Sequence, residues 1–355
     1  MRAADAAAGT GPGVVQELLA AVRSEGLLAP GRPVLVMLSG GRDSSCLLDL
    51  AVAVAGAQAV GALHVNYGLR EAAQADEEHC RALCARLGVA LAVRHAGPRP
   101  ASGNLQDWAR RLRYDAASAL ARERAADVAA GHTATDQVET VLYRLAAAPS
   151  RRALLGMRAR EGKLIRPLLR FTREQTGAYC QARGLGWRDD ESNDTDAYAR
   201  SRVRHGLIPA LRAVHPGAER NVLALLEQLR DEAEVLDALV DAELEGRDAV
   251  ELGHLRALPR ALARLVVQRL ADAVNGRPTP GSARRLDDIL ALGDAGAAHL
   301  DLPGGVRASV ADGLLSFSAT PPLARRRPSP QPSTAPQGLR PTARRGSSRQ
   351  PPGGF

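Results

Sequence analysis

Apolar runs and segments with helical spacing alternate along the first half of the chain. The continuous apolar runs are typical of strands buried on both faces of a parallel sheet. The predicted strands are residues 33–38, 59–65, 89–93, 127–130 and 163–167. The predicted helices around them are residues 14–28, 45–54, 74–87, 105–124 and 135–147. This alternation predicts an α/β fold with a doubly wound parallel sheet and right-handed crossovers.

The second half of the chain has a different pattern. Helical spacing dominates residues 217–246, and helices also fit 258–274 and 281–292, with a hairpin within 299–317. The last predicted strand of the first half contains Pro167, so we expect it at an edge of the sheet. The patterns predict three parts. They are an α/β domain over residues 1–216, a smaller and mostly helical domain over 217–320, and a disordered basic tail over 321–355.

The polar string Ser39-Gly-Gly-Arg-Asp-Ser44 lies between the first predicted strand and the following helix. The first N–H groups of a helix have no intrahelical partner, and the helix dipole adds positive charge there. Gly40 and Gly41 let the backbone approach a ligand without a Cβ clash, and Ser39 and Ser44 add hydroxyl donors. The string predicts an anion cradle, most naturally for phosphate. An ordinary glycine-rich turn is the alternative, and the lysine of a Walker P-loop is missing.

A second polar segment, residues 131–140, follows the fourth predicted strand. His132, Asp136 and Glu139 are three and four residues apart, so they share one face of a helix start. A carboxylate at this place can hold Mg²⁺ on ATP phosphates, since Mg²⁺ prefers one or two carboxylates plus phosphate oxygens. An N-capping cluster is the alternative. Both polar segments are expected beyond the carboxyl ends of the strands, where ligands bind in such sheets.

The net charge of +8 comes almost wholly from the end of the chain. Residues 321–355 contain seven arginines and no acidic residue, which leaves 40 basic and 39 acidic residues elsewhere. The high pI is therefore no evidence for a uniformly basic surface. The sequence lacks both a run of about 18 apolar residues, as a membrane span needs, and a signal-peptide core. Four cysteines without a CxxC pair are typical of a cytoplasmic protein with reduced thiols.

The Ser39–Ser44 string resembles the PP-loop of the ATP pyrophosphatase superfamily, whose members cleave ATP between its α- and β-phosphates. Further stretches resemble tRNA(Ile)-lysidine synthetases. These stretches are His64-Val-Asn-Tyr-Gly-Leu-Arg70, Ala109-Arg-Arg-Leu-Arg-Tyr114, residues 131–140, Gly156-Met157, Arg166-Pro-Leu168, and residues 190–196 with 200–204. Two features depart from the family pattern. Ser201 stands where the family usually has Asn, and residues 147–152 replace a Gly-rich segment.

The resemblance implies a two-step reaction. ATP adenylates the wobble cytidine of the minor isoleucine tRNA, which has a CAU anticodon, and the ε-amine of L-lysine then displaces AMP to form lysidine. The expected cofactors are ATP and Mg²⁺. The expected catalytic residues are Asp43, Arg110, Arg113, His132, Asp136 and Glu139. The expected ATP-binding residues are Ser39, Gly40, Gly41, Arg42, Asp43, Ser44, His64 and Asn66, with Asp43 and Asp136 as metal ligands.

Two other functions use the same adenylation chemistry and stay open at this point. A PP-loop tRNA thiolase requires cysteine chemistry or an iron–sulfur cluster, whereas Cys80 and Cys84 have the spacing of core residues on a helix. A small-molecule amide-forming synthetase, such as an NAD synthetase, does not require a helical tRNA-facing extension. Arg110 and Arg113 also fit an ordinary solvated helix face. We expect tRNA and L-lysine as partners and no membrane, and a homodimer is compatible with the sequence.

Overall fold

The computed structural model describes residues 12–69, 72–99, 104–147, 151–188, 199–279, 281–293 and 298–321. The chain divides into two compact units, Met1–Asp237 and Ala238–Phe355. The predicted disordered tail lies outside the described residues except for Pro321. Within the described ranges, no helix combines the length and the apolar character that crossing a membrane requires.

Unit 1 is built on a six-stranded sheet. Its strands are Val34–Met37 (β1), Val60–Asn66 (β2), Ala90–His95 (β3), Asp127–Ala129 (β4), Arg160–Glu161 (β5) and Leu164–Ile165 (β6). Their order across the sheet is β3-β2-β1-β4-β6-β5. All neighbours are parallel except β5, which runs antiparallel to β6. The predicted doubly wound parallel sheet is therefore confirmed.

The predicted position of the last parallel strand was wrong. β6 lies between β4 and β5 rather than at an edge. Pro167 comes after the paired residues Leu164 and Ile165, so its missing N–H removes no ladder bond. The last donor before it, the N–H of Arg166, reaches the Ala159 carbonyl oxygen at 2.8 Å. A proline constrains a strand only where its N–H would be needed for pairing.

Helices cover both faces of this sheet. The helices of unit 1 are Pro12–Glu25 (α1), Arg42–Ala55 (α2), Ala73–Leu87 (α3), Leu105–Glu123 (α4), Ala134–Ala147 (α5), Arg151–Leu154 (α6), Arg173–Ala182 (α7), Ala199–Arg202 (α8) and Ile208–Val214 (α9). A π-helical turn, Val203–Leu207, joins α8 to α9. The helix Ala218–Leu244 (α10) begins in unit 1 and contains the unit boundary. Alternate residues of β1 face opposite sides, since Val36 packs with α1, α2 and α7 while Leu35 packs with α4.

Unit 2 combines helices with a second sheet. Its strands, Ala249–Glu251 (β7), Ala298–Leu302 (β8), Val306–Ala311 (β9) and Leu314–Ala319 (β10), form an antiparallel sheet in the order β7-β10-β9-β8. Its further helices are Leu252–Ala257 (α11), Arg260–Asn275 (α12) and Leu286–Leu290 (α13). The predicted hairpin is confirmed as β9 and β10, which pair across Asp312 and Gly313, both with positive φ. The prediction of a mostly helical domain did not include the four-stranded sheet.

Candidate functional site

The loop from Ser39 to Gly41 connects β1 to the start of α2 at the carboxyl edge of the sheet. Gly40 has φ +87°, and a Cβ there would lie 3.2 Å from the Cys80 sulfur. Gly41 has φ −75°, and an added Cβ would come no closer than 3.5 Å, to Ser39 Oγ. The steric requirement for glycine is therefore stronger at Gly40 than at Gly41.

Hydroxyl groups hold this loop in its turn. Ser44 Oγ donates to the Gly41 carbonyl at 2.9 Å and accepts from the Ser39 N–H at 3.2 Å. The Gly41 N–H in turn donates to Ser39 Oγ at 3.3 Å. The N-cap residue of α2, Gly41, offers no side-chain acceptor to the first N–H groups of the helix. These N–H groups and the positive end of the helix dipole suit an anion.

Asp43 lies in the first turn of α2 and is held by residues from another helix. Thr176 of α7 donates its hydroxyl to Asp43 Oδ1 at 2.5 Å, and Arg173 Nε lies 3.4 Å from Oδ2. Burial raises the pKa of the Asp43 carboxyl, against the opposing effects of Thr176, Arg173 and Arg42. The negative charge of Asp136 adds to this rise in pKa. The two predicted metal ligands therefore lie within electrostatic reach of each other.

The second polar segment touches the PP-loop directly. A Cβ on Gly131 would lie 3.2 Å from the backbone of Asp43 and of Ser44, so a larger residue there would push the two segments apart by a few tenths of an ångström. Asp136 Oδ2 accepts from both the N–H and the hydroxyl of Thr133, each at 2.8 Å. Those bonds fix the Asp136 carboxylate at the start of α5.

The donor set of the two segments fits Mg²⁺ only in combination with phosphate. The described residues contain no group of three or more His, Cys, Asp or Glu side chains that could hold a metal ion. Asp43 and Asp136 repel each other, and a cation between them would relieve that repulsion. Mg²⁺ in nucleotide sites is held by one or two carboxylates and completes its shell with phosphate oxygens and water. The two carboxylates present are compatible with that arrangement.

His132 lies beside Asp136 among three arginines. Its Nδ1 is buried and has no hydrogen-bond partner among the described residues. Burial lowers the pKa of His132 to about 4, the charge of Asp136 opposes this, and the charges of Arg166, Arg110 and Arg200 lower it further. The imidazole is therefore neutral at pH 7. The structure thus brings predicted residues from α4 and α5 to one place.

Glu139 is buried and paired with a cation. Its Oε1 accepts from Arg204 Nε at 2.6 Å, while Arg204 Nη2 lies 4.0 Å from Asp136 Oδ1. One turn earlier, Arg200 Nη2 donates to Thr140 Oγ1 at 2.7 Å. The segment that carries both arginines is therefore anchored along α5. In this arrangement Glu139 orients Arg204 rather than standing free.

Arg110 and Arg113, which were predicted to share a basic helix face, both lie near the Tyr114 ring. Their guanidinium carbons lie 4.6 and 5.8 Å from the centre of the Tyr114 ring. Arg113 Nε is buried without a hydrogen-bond partner among the described residues. Its charge also reaches Tyr67, whose pKa is raised by burial and lowered by Arg113. Arg113 is therefore half-buried with its Nε shielded from water, whereas Arg110 is exposed.

His64 and Asn66 support the loops at the strand ends. His64 Nδ1 lies 3.0 Å from the Leu38 carbonyl oxygen and 3.4 Å from the Cys80 sulfur. Asn66 Nδ2 donates to Glu77 Oε2 at 2.9 Å, and its Oδ1 accepts from the Gly68 N–H at 2.9 Å. Both side chains therefore hold backbone in place near the PP-loop. The last residue of that motif, residue 70, and residues 189–198 lie outside the described ranges.

The two departures from the family pattern fall in different surroundings. Ser201 is buried within α8. Residues 148–150 of the other departure lie outside the described residues. The turn at Gly156 and Met157, which follows them, is held by several hydrogen bonds. Gln137 exchanges two hydrogen bonds with the Met157 backbone, at 2.7 and 2.8 Å, and Arg230 of α10 donates to the Met157 carbonyl at 2.6 Å. A Cβ on Gly156 would lie 2.6 Å from Gln137 Oε1, so this turn requires glycine.

Comparison with known proteins supports the family assignment. A family model described as "PP-loop domain" matches residues 14–211. A tRNA(Ile)-lysidine synthase of Thermus thermophilus is 36% identical over 298 residues, covering 81% of this chain and 57% of the relative. One from Thermobifida fusca is 34% identical over 306 residues, covering 82% of this chain and 93% of the relative. The chain belongs to the tRNA(Ile)-lysidine synthase family.

The relatives differ from one another in length, and the similar solved structure has a low sequence identity to this chain. The chain spans little more than half of the Thermus relative but nearly all of the Thermobifida one. Among solved structures, it resembles the U34-tRNA thiolase NcsA from Methanococcus maripaludis, which contains a [4Fe-4S] cluster. That likeness has a TM-score of 0.50 at 18% identity and covers 61% of this chain and 78% of NcsA. It concerns the fold alone.

Two site residues of this family member were missed by the sequence patterns. Arg173 and Thr176 of α7 contact Asp43, which is 130 or more positions earlier in the chain. Thr172 and Gln175 form a capping box at the start of α7, with both reciprocal bonds present. Such a Thr-x-x-Gln pattern is readable from sequence and marks a helix start. It indicates where α7 begins, but not which loop its first turn contacts.

Proposed function

We propose that this chain ligates L-lysine to the wobble cytidine of the minor isoleucine tRNA, whose anticodon is CAU, with consumption of ATP. The carbonyl oxygen of the cytosine ring attacks the α-phosphorus of ATP, and pyrophosphate leaves. The ε-amine of lysine then attacks the ring carbon that bears the adenylated oxygen, and the carbon–oxygen bond breaks so that AMP leaves. The observation that carries the proposal is the direct contact of the PP-loop with the Gly131–Asp136 segment, in a member of this family.

The residues at the strand ends fit the demands of that reaction. The uncapped start of α2 and the hydroxyls of Ser39 and Ser44 suit the phosphates of ATP. Mg²⁺ on Asp43 and Asp136 would neutralise charge on the phosphates and the departing pyrophosphate. Arg110 lies close enough to His132 to influence its pKa, so it can stabilise charge at the α-phosphate.

His132 has a role that follows from its neutral state. At pH 7 the uncharged imidazole adds no positive charge to those of Arg110, Arg166 and Arg200. One ring nitrogen can donate a hydrogen bond while the other accepts one. We assign His132 to orienting the cytosine ring or the α-phosphate beside Asp136. Glu139 acts through Arg204, which it holds at 2.6 Å.

The remaining parts of the chain complete the proposal. We assign residues 217–320 to holding the tRNA and residues 321–355, with their seven arginines, to nonspecific attraction of tRNA phosphates. The enzyme works in the cytoplasm, and we infer a homodimer as one assembly to test.

Sulfur transfer is the second candidate, because the fold resembles that of a tRNA thiolase. The cysteines of this chain argue against it. All four are buried, and burial is the main cause that raises the pKa of Cys80 to about 12 and that of Cys84 to about 11. The thiolate is the reactive form of cysteine. These side chains are therefore poorly suited to accept or donate sulfur.

Radiolabelled lysine tests the proposal. Enzyme and Mg-ATP are incubated with two tRNAs that share the CAU anticodon, the minor isoleucine species and a methionine species. Label should enter the isoleucine tRNA only. Label in both would support the chemistry but contradict recognition beyond the anticodon. Label in neither, together with sulfur incorporation when a sulfur donor is supplied, would favour a thiolase.

A further inference from the structure

Two aromatic rings meet at the carboxyl edge of the unit 1 sheet. Tyr67 follows β2 directly, and Trp108 lies in the first turn of α4. Their ring centres are 6.0 Å apart with an interplanar angle of 60°, an edge-to-face contact. Both rings are only partly buried, and Leu69, two residues after Tyr67, is 47% exposed. We name Tyr67 and Trp108 the aromatic platform.

The platform is fixed in place and lies beside positive charge. The Tyr67 hydroxyl donates to the Ala109 carbonyl oxygen at 3.0 Å, which ties the loop after β2 to α4. The charge of Arg113 reaches the Tyr67 ring. Arg110, whose charge acts on His132, belongs to the same helix as Trp108. The platform is therefore connected through α4 to the residues proposed to act on the nucleotide.

Aromatic side chains are scarce in this protein. The chain contains three Phe, two Trp and five Tyr among 355 residues. A partly exposed Trp next to a Tyr is therefore an unusual pairing in this sequence. Rigid aromatic faces flanked by arginines suit unpaired nucleobases, because every base offers a π-face for stacking and the phosphates offer negative charge. An aliphatic peptide could not stack on the ring faces, and an acidic peptide would interact with the arginines but not with the rings.

We propose that the aromatic platform stacks an unpaired base of the anticodon loop, next to the cytidine that is modified. This inference rests on the proposed function for the identity of the RNA. The base is held by its face rather than by its edges, so the platform contributes to affinity and to positioning of the loop.

The second tryptophan makes a direct test possible. Trp187 packs partly buried against the main core, so Trp187→Phe leaves Trp108 as the one fluorescent tryptophan of the chain. An RNA hairpin with the CAU anticodon loop is added without ATP or lysine. Stacking predicts strong quenching of Trp108 emission at saturating hairpin. A blunt RNA duplex of equal charge, which has no unpaired base, should quench far less.

Binding measurements with two substitutions complete the test. Trp108→Ala should weaken hairpin binding about tenfold, and Trp108→Phe should restore most of the affinity, since base–aromatic stacking contributes this order of effect. Tyr143→Ala is the matched control, because Tyr143 is an exposed aromatic on α5 outside the platform. Its loss should leave affinity unchanged.

Each outcome separates the platform from the proposed function. Equal quenching by hairpin and duplex, or unchanged affinity in Trp108→Ala with only a lower melting temperature, would overturn the platform and leave Trp108 a packing residue. Quenching by the hairpin without lysine incorporation in the labelling experiment would keep the platform and refute the ligase. Lysine incorporation without quenching would support the ligase and refute the platform.

Discussion

The two edges of the unit 1 sheet hold their carboxylates in contrasting ways. At the amino edge, Asp127 begins β4 and is 2% exposed. Arg32 and Arg160 approach its Oδ2 at 2.8 and 3.0 Å, and Lys163 approaches Oδ1 at 3.8 Å. At the carboxyl edge, Asp136 accepts hydrogen bonds from Thr133, and the guanidinium of Arg204 stays 4.0 Å away.

The difference indicates that Asp127 supports the fold, whereas Asp136 keeps a negative charge available to a ligand. Asp127 has its negative charge balanced by three cations, so an external cation would gain little by binding there. The acceptor bonds of Asp136 come from neutral groups, which fix its position but leave its charge in place. The charge of Asp43 is balanced to an intermediate degree. A neutral hydroxyl lies at 2.5 Å, and two guanidinium nitrogens lie farther away at 3.4 Å. A cation accompanying a nucleotide is therefore expected at the carboxyl edge.

The largest expected effect is the loss of activity in Asp136→Asn. The amide can still accept from Thr133 but no longer carries the charge that holds a phosphate-bound cation. We expect tRNA-dependent ATP–pyrophosphate exchange to fall by about 10²- to 10³-fold, with an unchanged melting temperature. Retention of more than a tenth of the activity would show that this charge is dispensable.

The next effect, at the opposite edge, concerns stability. Asp127→Asn leaves three cations without their shared anion, and breaking such a buried pair is costly. The cations are partly exposed, which screens the effect, so we expect a loss of about 2 to 3 kcal/mol in the free energy of unfolding. Urea unfolding measures this. Exchange activity below the unfolding transition should stay within about twofold of wild type, and a large activity loss in folded protein would remove the contrast between the edges.

A smaller effect is expected at Thr176, which acts on Asp43 from α7. Thr176→Val keeps the shape of the side chain but removes the 2.5 Å hydrogen bond. We expect kcat/KM for ATP to fall about tenfold, since hydrogen bonds to charged groups contribute about 1.5 to 3 kcal/mol. Thr176→Ser should restore it. Equal loss in the Ser and Val variants would indicate that packing, not the hydroxyl, matters.

The smallest effect is the pH dependence linked to His132. Burial lowers its folded-state pKa to about 4, below the unfolded value of about 6.5. The unfolded state therefore binds the proton first, and the contribution to stability is lost as pH falls from about 6.5 to 4. His132→Asn should remove about 1 kcal/mol of this acid sensitivity, allowing for partial exposure. Melting temperatures measured between pH 7 and pH 4 test this, and parallel curves for both proteins would contradict it.

Much of the fold and site was readable from local patterns. Continuous apolar runs indicated the parallel strands, and the glycine-rich string marked the PP-loop, because both depend on residues adjacent in sequence. The predicted location of the ends of β1, β2 and β4 on one edge is confirmed, and Gly131 contacts the PP-loop there.

Contacts between residues far apart in the sequence could not be predicted from it. Thr176 reaches Asp43, and Arg204 reaches Glu139, through tertiary packing that no spacing rule reveals. The edge position predicted from Pro167 was wrong because the proline lies just past the paired residues. β7 was missed because three residues, Ala249–Glu251, are too short to show a period.

The most direct measurement is nucleoside analysis of the minor isoleucine tRNA after incubation with Mg-ATP and lysine. Wild-type protein and Asp127→Asn, assayed well below its unfolding transition, should both produce lysidine at the wobble position. Asp136→Asn should produce little or none at equal folded concentration. Lysidine at wild-type levels from Asp136→Asn, or none from the wild-type protein, would contradict the assignment of lysidine formation to the carboxyl edge of this sheet.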